Sequence, residues 1–156
     1  ICYPGYKYNL TDLASAVGIP QLEKCDYFAS IRRQYAALYN DAFQHIPAIK
    51  VPRVDTGVEH AWHLYVIQLE LDQLRIGRNE LIEHLKKLGI GTSVHFIPLH
   101  LHPYYKNTFG YTAGDFPVAS RVFDRIISLP IYPKMTECDV QRVIDAVLGL
   151  LREYRR

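Results

Sequence analysis

From Pro20 to Gln44 the apolar residues Phe28, Ile31, Tyr35, Leu38 and Ala42 return in steps of three and four. That spacing draws one buried stripe along a single long helix, and a helix of that length is a natural spine between two bodies. A shorter helix precedes it. Pro4 and Gly5 open a turn, Thr11 followed by Asp12 reads as an N-cap with an acid in the first turn, and Gly18-Ile19-Pro20 closes the segment. Proline lacks an N–H and is tolerated at a helix's first turn, so a new helix is expected to start at Pro20.

Beyond the spine the periodicity alternates. Residues 48–58 read as a loop punctuated by Pro52 and Gly57, with Pro47 just before it, and His63 to Leu71 is β-branched and aromatic enough for a strand. Asn79 is expected to cap a helix with Leu81, Ile82, Leu85 and Leu88 on its apolar face, ended by Gly89 as the left-handed cap. Gly91 to Ile97 reads as a strand. Pro117 suits a helix first turn, with Val118, Val122, Phe123, Ile126 and Ile127 turned inward, and Ser128 to Ile131 makes a short strand. Thr136 with Asp139 three residues on approximates a capping box before a final helix that buries Val140, Val143, Ile144, Val147 and Leu151. The expected architecture is α+β, an α/β layer in which a small sheet is covered by helices. Residues 1–46 form a loop and helical arm, and 47–156 one compact small domain.

Charge and cysteine usage exclude several classes. A net charge of +2 spread over mixed signs, with only the tail Leu151 to Arg156 locally basic, gives no electrostatic footprint for nucleic acid. No apolar run approaches the ~18 residues of a membrane helix, and Ile1-Cys2-Tyr3-Pro4 lacks the pattern of a signal peptide. Cys2, Cys25 and Cys138 are odd in number and unpaired in sequence, which fits a reducing, cytoplasmic setting; Cys25 and Cys138 are expected to pack.

Histidines concentrate the chemistry. GTSVHFIPLHLHPYY, residues 91–105, holds His95, His100 and His102 beside Tyr104 and Tyr105. His100 and His102 would converge on a metal only in an extended strand, which Pro98 and Pro103 oppose, and no Cys or carboxylate stands at ligand spacing. They are read as loop or rim groups, and no metal is assigned. His95, between Val94 and Phe96, is either an edge histidine satisfied by backbone or a polar group at the lip of a pocket. GYKYNLTD, residues 5–12, places Lys7 and Asn9 ahead of a helix start where a phosphate could sit, although no phosphate-loop motif is present. No nucleophile-and-base motif appears.

Together GYKYNLTDLASAVGIPQLEKCDYFASIRRQYAALYNDAF, HAWHLYVIQLE, RNELIEHLKKLGIGTSVHFIPLHLHPYY and FGYTAGDFPVASRVFDRIISLPIYPKMTECDVQRVIDAV resemble, in register over almost the whole chain, the C-terminal part of DegT/DnrJ/EryC1/StrS nucleotide-sugar aminotransferases. The opening GYKYNLTD is most like the subgroup that aminates UDP-4-keto sugars, as in 4-amino-4-deoxy-arabinose synthesis. The resemblance implies the small domain of a fold-type-I homodimer that uses pyridoxal 5'-phosphate to move an amino group from glutamate to a nucleotide-linked keto-sugar. It implies that the glycine-rich turn reaches the cofactor phosphate of the neighbouring subunit. Where many members read G-x-N-x-R, Lys7 stands at the asparagine position and Asn9 at the arginine position, and either can donate to a phosphate. It further implies that His95 contacts the sugar nucleotide, that Tyr104 and Tyr105 wall the site, and that His63 is a lesser candidate. The Schiff-base lysine would lie upstream of Ile1 in the large cofactor domain, so the chain alone is expected not to transaminate. Two other readings are a stand-alone, non-catalytic dimerisation or ligand-binding module, and a small metal-dependent hydrolase built on the histidines.

Overall fold

The computed structural model describes residues 8–156. Among these residues six α-helices surround a three-stranded antiparallel sheet: α1 (Asp12–Glu23), α2 (Cys25–Phe43), β1 (Ile49–Lys50), β2 (Tyr65–Leu69), α3 (Arg78–Lys87), α4 (Pro103–Phe109), α5 (Pro117–Phe123), β3 (Ile126–Leu129) and α6 (Glu137–Glu153). The strand order is β1-β2-β3, with Ile49 opposite Leu69, Tyr65 opposite Leu129 and Ile67 opposite Ile127.

Alternation along β2 assigns the two faces. Tyr65, Ile67 and Leu69 are fully buried in the core, while Val66 and Gln68 between them are half-buried on the other side. The core face meets Tyr35, Ala36, Tyr39 and Phe43 of α2, Leu81 and Leu85 of α3, and the apolar stripe of α6. Burying so many tyrosines requires partners for their hydroxyls. Tyr39 donates to the Pro130 carbonyl at 2.8 Å, Tyr65 to Asn40 Oδ1 at 2.7 Å and Tyr35 to the Met135 carbonyl at 2.5 Å, so each ring ties α2 to another element. Burial raises the pKa of Tyr39 and Tyr65 well above the ordinary phenol value, and both stay neutral donors. Across the end of β2, Glu70 accepts from Arg125 at 2.6 Å and pairs with Lys50, joining all three strands; the Lys50 bond is the foremost cause of its lowered pKa.

Several expectations shift. α1 does not stop at Gly18 but runs through Pro20 to Glu23, and the break falls at Lys24. An interior proline forfeits the bond its N–H would have made and crowds the carbonyl four residues before it, and this exposed helix, which buries no residue, carries Pro20 within its span. The buried line of α2 is Tyr35, Ala36, Tyr39 and Phe43, rotated from the expected stripe, with Leu38 at 39% exposure. α3 begins at Arg78 rather than beyond Asn79, because Glu80 accepts from the Gly77 N–H at 2.9 Å and so draws the start forward. β3 lies at Ile126–Leu129, since α5 ends at Phe123; Val118 faces out. Residues 91–97 are not a strand: only Ser93 pairs, in a single bridge to Ser128, after which Phe96 and Ile97 are 75% and 52% exposed and gain nothing from joining the sheet. Cys25 and Cys138 are exposed free thiols rather than packed. Gly89, at φ 76°, does close α3: the Ile90 and Gly89 N–H groups return to the carbonyls of Leu85 and Lys86.

Candidate functional site

On the side of the sheet turned from the core lie Val66, Gln68, Ile126 and Ser128. Ile126 is buried there and yet lies outside the main core cluster. Ser93 and Ser128 exchange backbone hydrogen bonds, Ser93 N–H to the Ser128 carbonyl at 3.2 Å and the reverse at 2.8 Å. That bridge brings His95, two residues on, over the same face. His95 Nδ1 sits 2.9 Å from Ser128 Oγ and 3.3 Å from Ser93 Oγ, with the Phe96 ring edge-on at 4.6 Å. The imidazole is half-buried, so one edge is anchored and the other reaches outward.

Val66 connects this histidine to His63. It is the cross-strand partner of Ser128, and it also lines an open groove of about 530 Å³ with Pro52, Val58, Glu59, His60, His63 and Leu64. His63 is exposed in that groove. Between His60 and His63 in the chain, Trp62 stands at φ 48° in the left-handed region that costs an L-residue roughly 1–2 kcal/mol. Its N–H donates to His60 Nδ1 at 3.0 Å, and its ring packs 4.4 Å from His60 and 5.8 Å from Tyr65. His95 and His63 therefore flank one outer face of the sheet.

Tyr104 and Tyr105 lie on α4. Tyr104 is 66% exposed and meets the half-buried Tyr105 edge-on at 5.3 Å. Tyr105, Phe109, Tyr111, Phe116 and His100 then follow one another ring to ring. His100 ends that row and is a core group rather than a rim group, 6% exposed. Its Nε2 donates to Ser120 Oγ at 3.1 Å, whose own proton goes to the Ala113 carbonyl at 2.9 Å. His102 is exposed and donates from Nε2 to the Ile97 carbonyl at 3.3 Å. No three His, Cys, Asp or Glu side chains gather to hold a metal ion among the described residues, so the hydrolase reading finds no ligand set there. No described helix is long and apolar enough to cross a membrane.

Asn9 is exposed two residues ahead of Thr11, whose hydroxyl caps α1 by accepting from the Ala14 N–H at 3.2 Å. Lys7 lies outside the described residues. Sequence reasoning missed Ser128 and Ser93, because a serine in a short strand carries no motif and its significance comes only from a residue far away in the chain.

A model of the DegT/DnrJ/EryC1/StrS aminotransferase family matches residues 2–148. The chain is 51% identical over 151 residues to the uncharacterised protein MJ1066 of Methanocaldococcus jannaschii, covering 97% of this chain and 39% of that protein. It is 46% identical over 150 residues to the spore coat polysaccharide biosynthesis protein SpsC of Bacillus subtilis, covering 96% of this chain and 39% of SpsC. Among solved structures, the PLP form of the putative sugar aminotransferase Spr1654 from Streptococcus pneumoniae superposes with a TM-score of 0.84 at 30% identity, over 98% of this chain and 38% of that one. The fold is that of a part of fold-type-I aminotransferases, and the chain spans well under half the length of these relatives.

Proposed function

We propose, from the premise that this chain belongs to the DegT/DnrJ/EryC1/StrS aminotransferase family, that it is the small domain of an enzyme moving an amino group from glutamate to a keto-sugar carried on a nucleotide. In this reading residues 1–46 are an arm and 47–156 a small domain beside a large cofactor domain. Two subunits pair as a homodimer in the cytoplasm, where exposed thiols such as Cys25 and Cys138 stay reduced. The polysaccharide role in the name of SpsC and the sugar in that of Spr1654 support the substrate class.

The observation that carries this reading is the outer face of the sheet, where His95 is anchored at one ring edge by a buried serine and the His63 groove lies alongside. A few oriented polar groups set among apolar walls are what a polar ligand needs for recognition. His95 meets the nucleotide sugar, exposed Tyr104 with Tyr105 forms a wall, and His63 contributes from the groove.

Pyridoxal phosphate, when bound, supplies the electron sink for amino transfer. The residues here fit a supporting part in holding it: Asn9 presents an exposed amide donor just ahead of a capped helix start, and Lys7, two positions earlier in the sequence, adds a cation. Both would serve the phosphate of the neighbouring subunit.

The test uses the longer protein in which this chain lies, supplied with glutamate and a panel of UDP-linked keto-sugars. Formation of an amino sugar with matching 2-oxoglutarate supports the reading. Efficient amination of free keto acids with no transfer to any nucleotide sugar contradicts it. In the same protein Asn9→Ala should weaken cofactor retention by roughly 1.5–3 kcal/mol, the value of a hydrogen bond to a charged group. Equilibrium dialysis followed by the cofactor's absorbance reads this directly, and unchanged retention in both Asn9→Ala and Lys7→Ala would remove the phosphate role.

A further inference from the structure

Ser128 interrupts the run Ile126-Ile127-Ser128-Leu129, in which every residue is buried, and it is itself 3% exposed. A hydroxyl so placed is unfavourable unless it is bonded. Among the described residues its hydrogen-bond partner is His95 Nδ1, at 2.9 Å.

That bond has two possible directions. A serine hydroxyl has one proton to give, and a neutral imidazole has one N–H and one bare nitrogen. If Nδ1–H donated to Ser128, the serine proton would need another acceptor, and none is found among the described residues. A buried donor left unmade is penalised more heavily than an ordinary hydrogen bond is rewarded. If Ser128 donates to a bare Nδ1, one bond satisfies both groups. Ser93, 3.3 Å from the same nitrogen, is exposed and can turn to water, so it imposes no choice. His100 makes a contrast: its serine partner has already given its proton to a carbonyl, so that ring must donate.

We propose that Ser128 is a positioning residue that holds His95 in the neutral tautomer bearing its proton on Nε2. The outward edge of the ring then offers a donor, and what it recognises is an acceptor oxygen, on the diphosphate or on the sugar of the substrate. The identity of that acceptor rests on the function proposed above; the tautomer and its cause do not. The backbone exchange between Ser93 and Ser128 keeps the pair in register, so the ring is fixed in position as well as in protonation.

The test uses the intact enzyme with isotope-labelled histidine, the His95 signals being assigned by their loss in His95→Gln. Nitrogen NMR is expected to show a bare Nδ1 and a protonated Nε2. Ser128→Ala should blur that preference, and Ser128→Thr, which keeps a hydroxyl and suits a strand, should restore it. In kinetics His95→Asn and Ser128→Ala should raise KM for the nucleotide sugar about tenfold, and His95→Gln, whose amide N–H stands near the place of Nε2–H but which leaves Ser128 without its acceptor, should raise it by less, with the glutamate half-reaction unchanged. Weaker inhibition by UDP in step with that rise places the acceptor on the diphosphate; unchanged UDP inhibition places it on the sugar. A protonated Nδ1 in the wild type, or a tautomer indifferent to Ser128→Ala in a protein that melts normally, overturns the proposal. The expected tautomer with KM unmoved in all three variants overturns instead the reading that His95 faces substrate.

Discussion

Arg78 shows how one residue can be held by conflicting forces. It is 9% exposed, its guanidinium lies 5.0 Å from the centre of the Phe123 ring, and its Nε and Nη1 are buried without a hydrogen-bond partner among the described residues. Burial pushes its pKa below the usual arginine range while the nearby Asp124 pushes back. A cation over an aromatic face contributes roughly 0.5–2 kcal/mol, whereas each unmet buried donor costs about 1–3 kcal/mol, so the two unmet donors outweigh the ring contact. Arg78→Met, which keeps the stem and discards the donors, should therefore change unfolding free energy by less than about 1 kcal/mol or raise it. Urea denaturation measures this, and a loss above about 3 kcal/mol would mean that the guanidinium has a partner in solution. His95 is the opposite case, its buried edge being fully paired through Ser128.

Among elements, α6 is closed at its start by a reciprocal cap. Thr136 N–H donates to Asp139 Oδ2 at 2.8 Å and Asp139 N–H donates to Thr136 Oγ1 at 3.2 Å. The Thr136 backbone bond, then its hydroxyl bond, hold the Asp139 carboxyl below its ordinary value of 3.8. A pKa depressed on folding adds stability that is complete above the unfolded value and is lost as pH falls through the folded one. The contribution of Asp139 should thus fade below pH 3.8, and Asp139→Asn should flatten the acid limb of a Tm-against-pH curve. An identical acid limb in the variant would show that the cap does not hold in solution. Thr136→Ala, by removing the N-cap oxygen, should cost about 1 kcal/mol at neutral pH in thermal melts.

The cap and the stripe of Val140, Val143, Ile144, Val147 and Leu151 in this helix were legible in the sequence, because they are local patterns that agree with each other, whereas the exposure of Cys138 in its first turn was not. Gly89 was legible for the same reason. The segment 91–97 was not: Val94 and Phe96 have strand-forming side chains, but a strand needs an edge to pair with, and the chain leaves that edge after Ser93. Ile49–Lys50 was read as loop because two residues carry no periodicity. The family was legible through register over almost the whole chain, whereas the serine anchor of His95 depends on a contact between distant residues that no spacing encodes.

At the scale of the molecule, α1 is the element most in need of a partner. None of its residues is buried, and Leu13, Val17, Ile19 and Leu22 are 60 to 79% exposed, with Leu10 just before them similarly open. A patch of this kind marks an interaction surface. Since the chain spans 39% of the curated relatives it matches, the proposed occupant is the remainder of such a chain or its dimer partner. Residues 1–156 expressed alone should bind a hydrophobic dye and self-associate in sedimentation, and Leu13→Asp with Leu22→Asp should reduce both. A monomer with no dye binding would argue that α1 is covered from within.

The function proposed here depends on this chain facing the sugar nucleotide while the amino donor reacts elsewhere in the enzyme. The measurement that reaches this most directly is the rate of each half-reaction separately in His95→Ala of the intact enzyme, followed through the cofactor's absorbance under single-turnover conditions. The expected result is an undiminished reaction with glutamate and a KM for the nucleotide sugar raised about tenfold or more. Equal loss in both halves, or no loss in either, would contradict it.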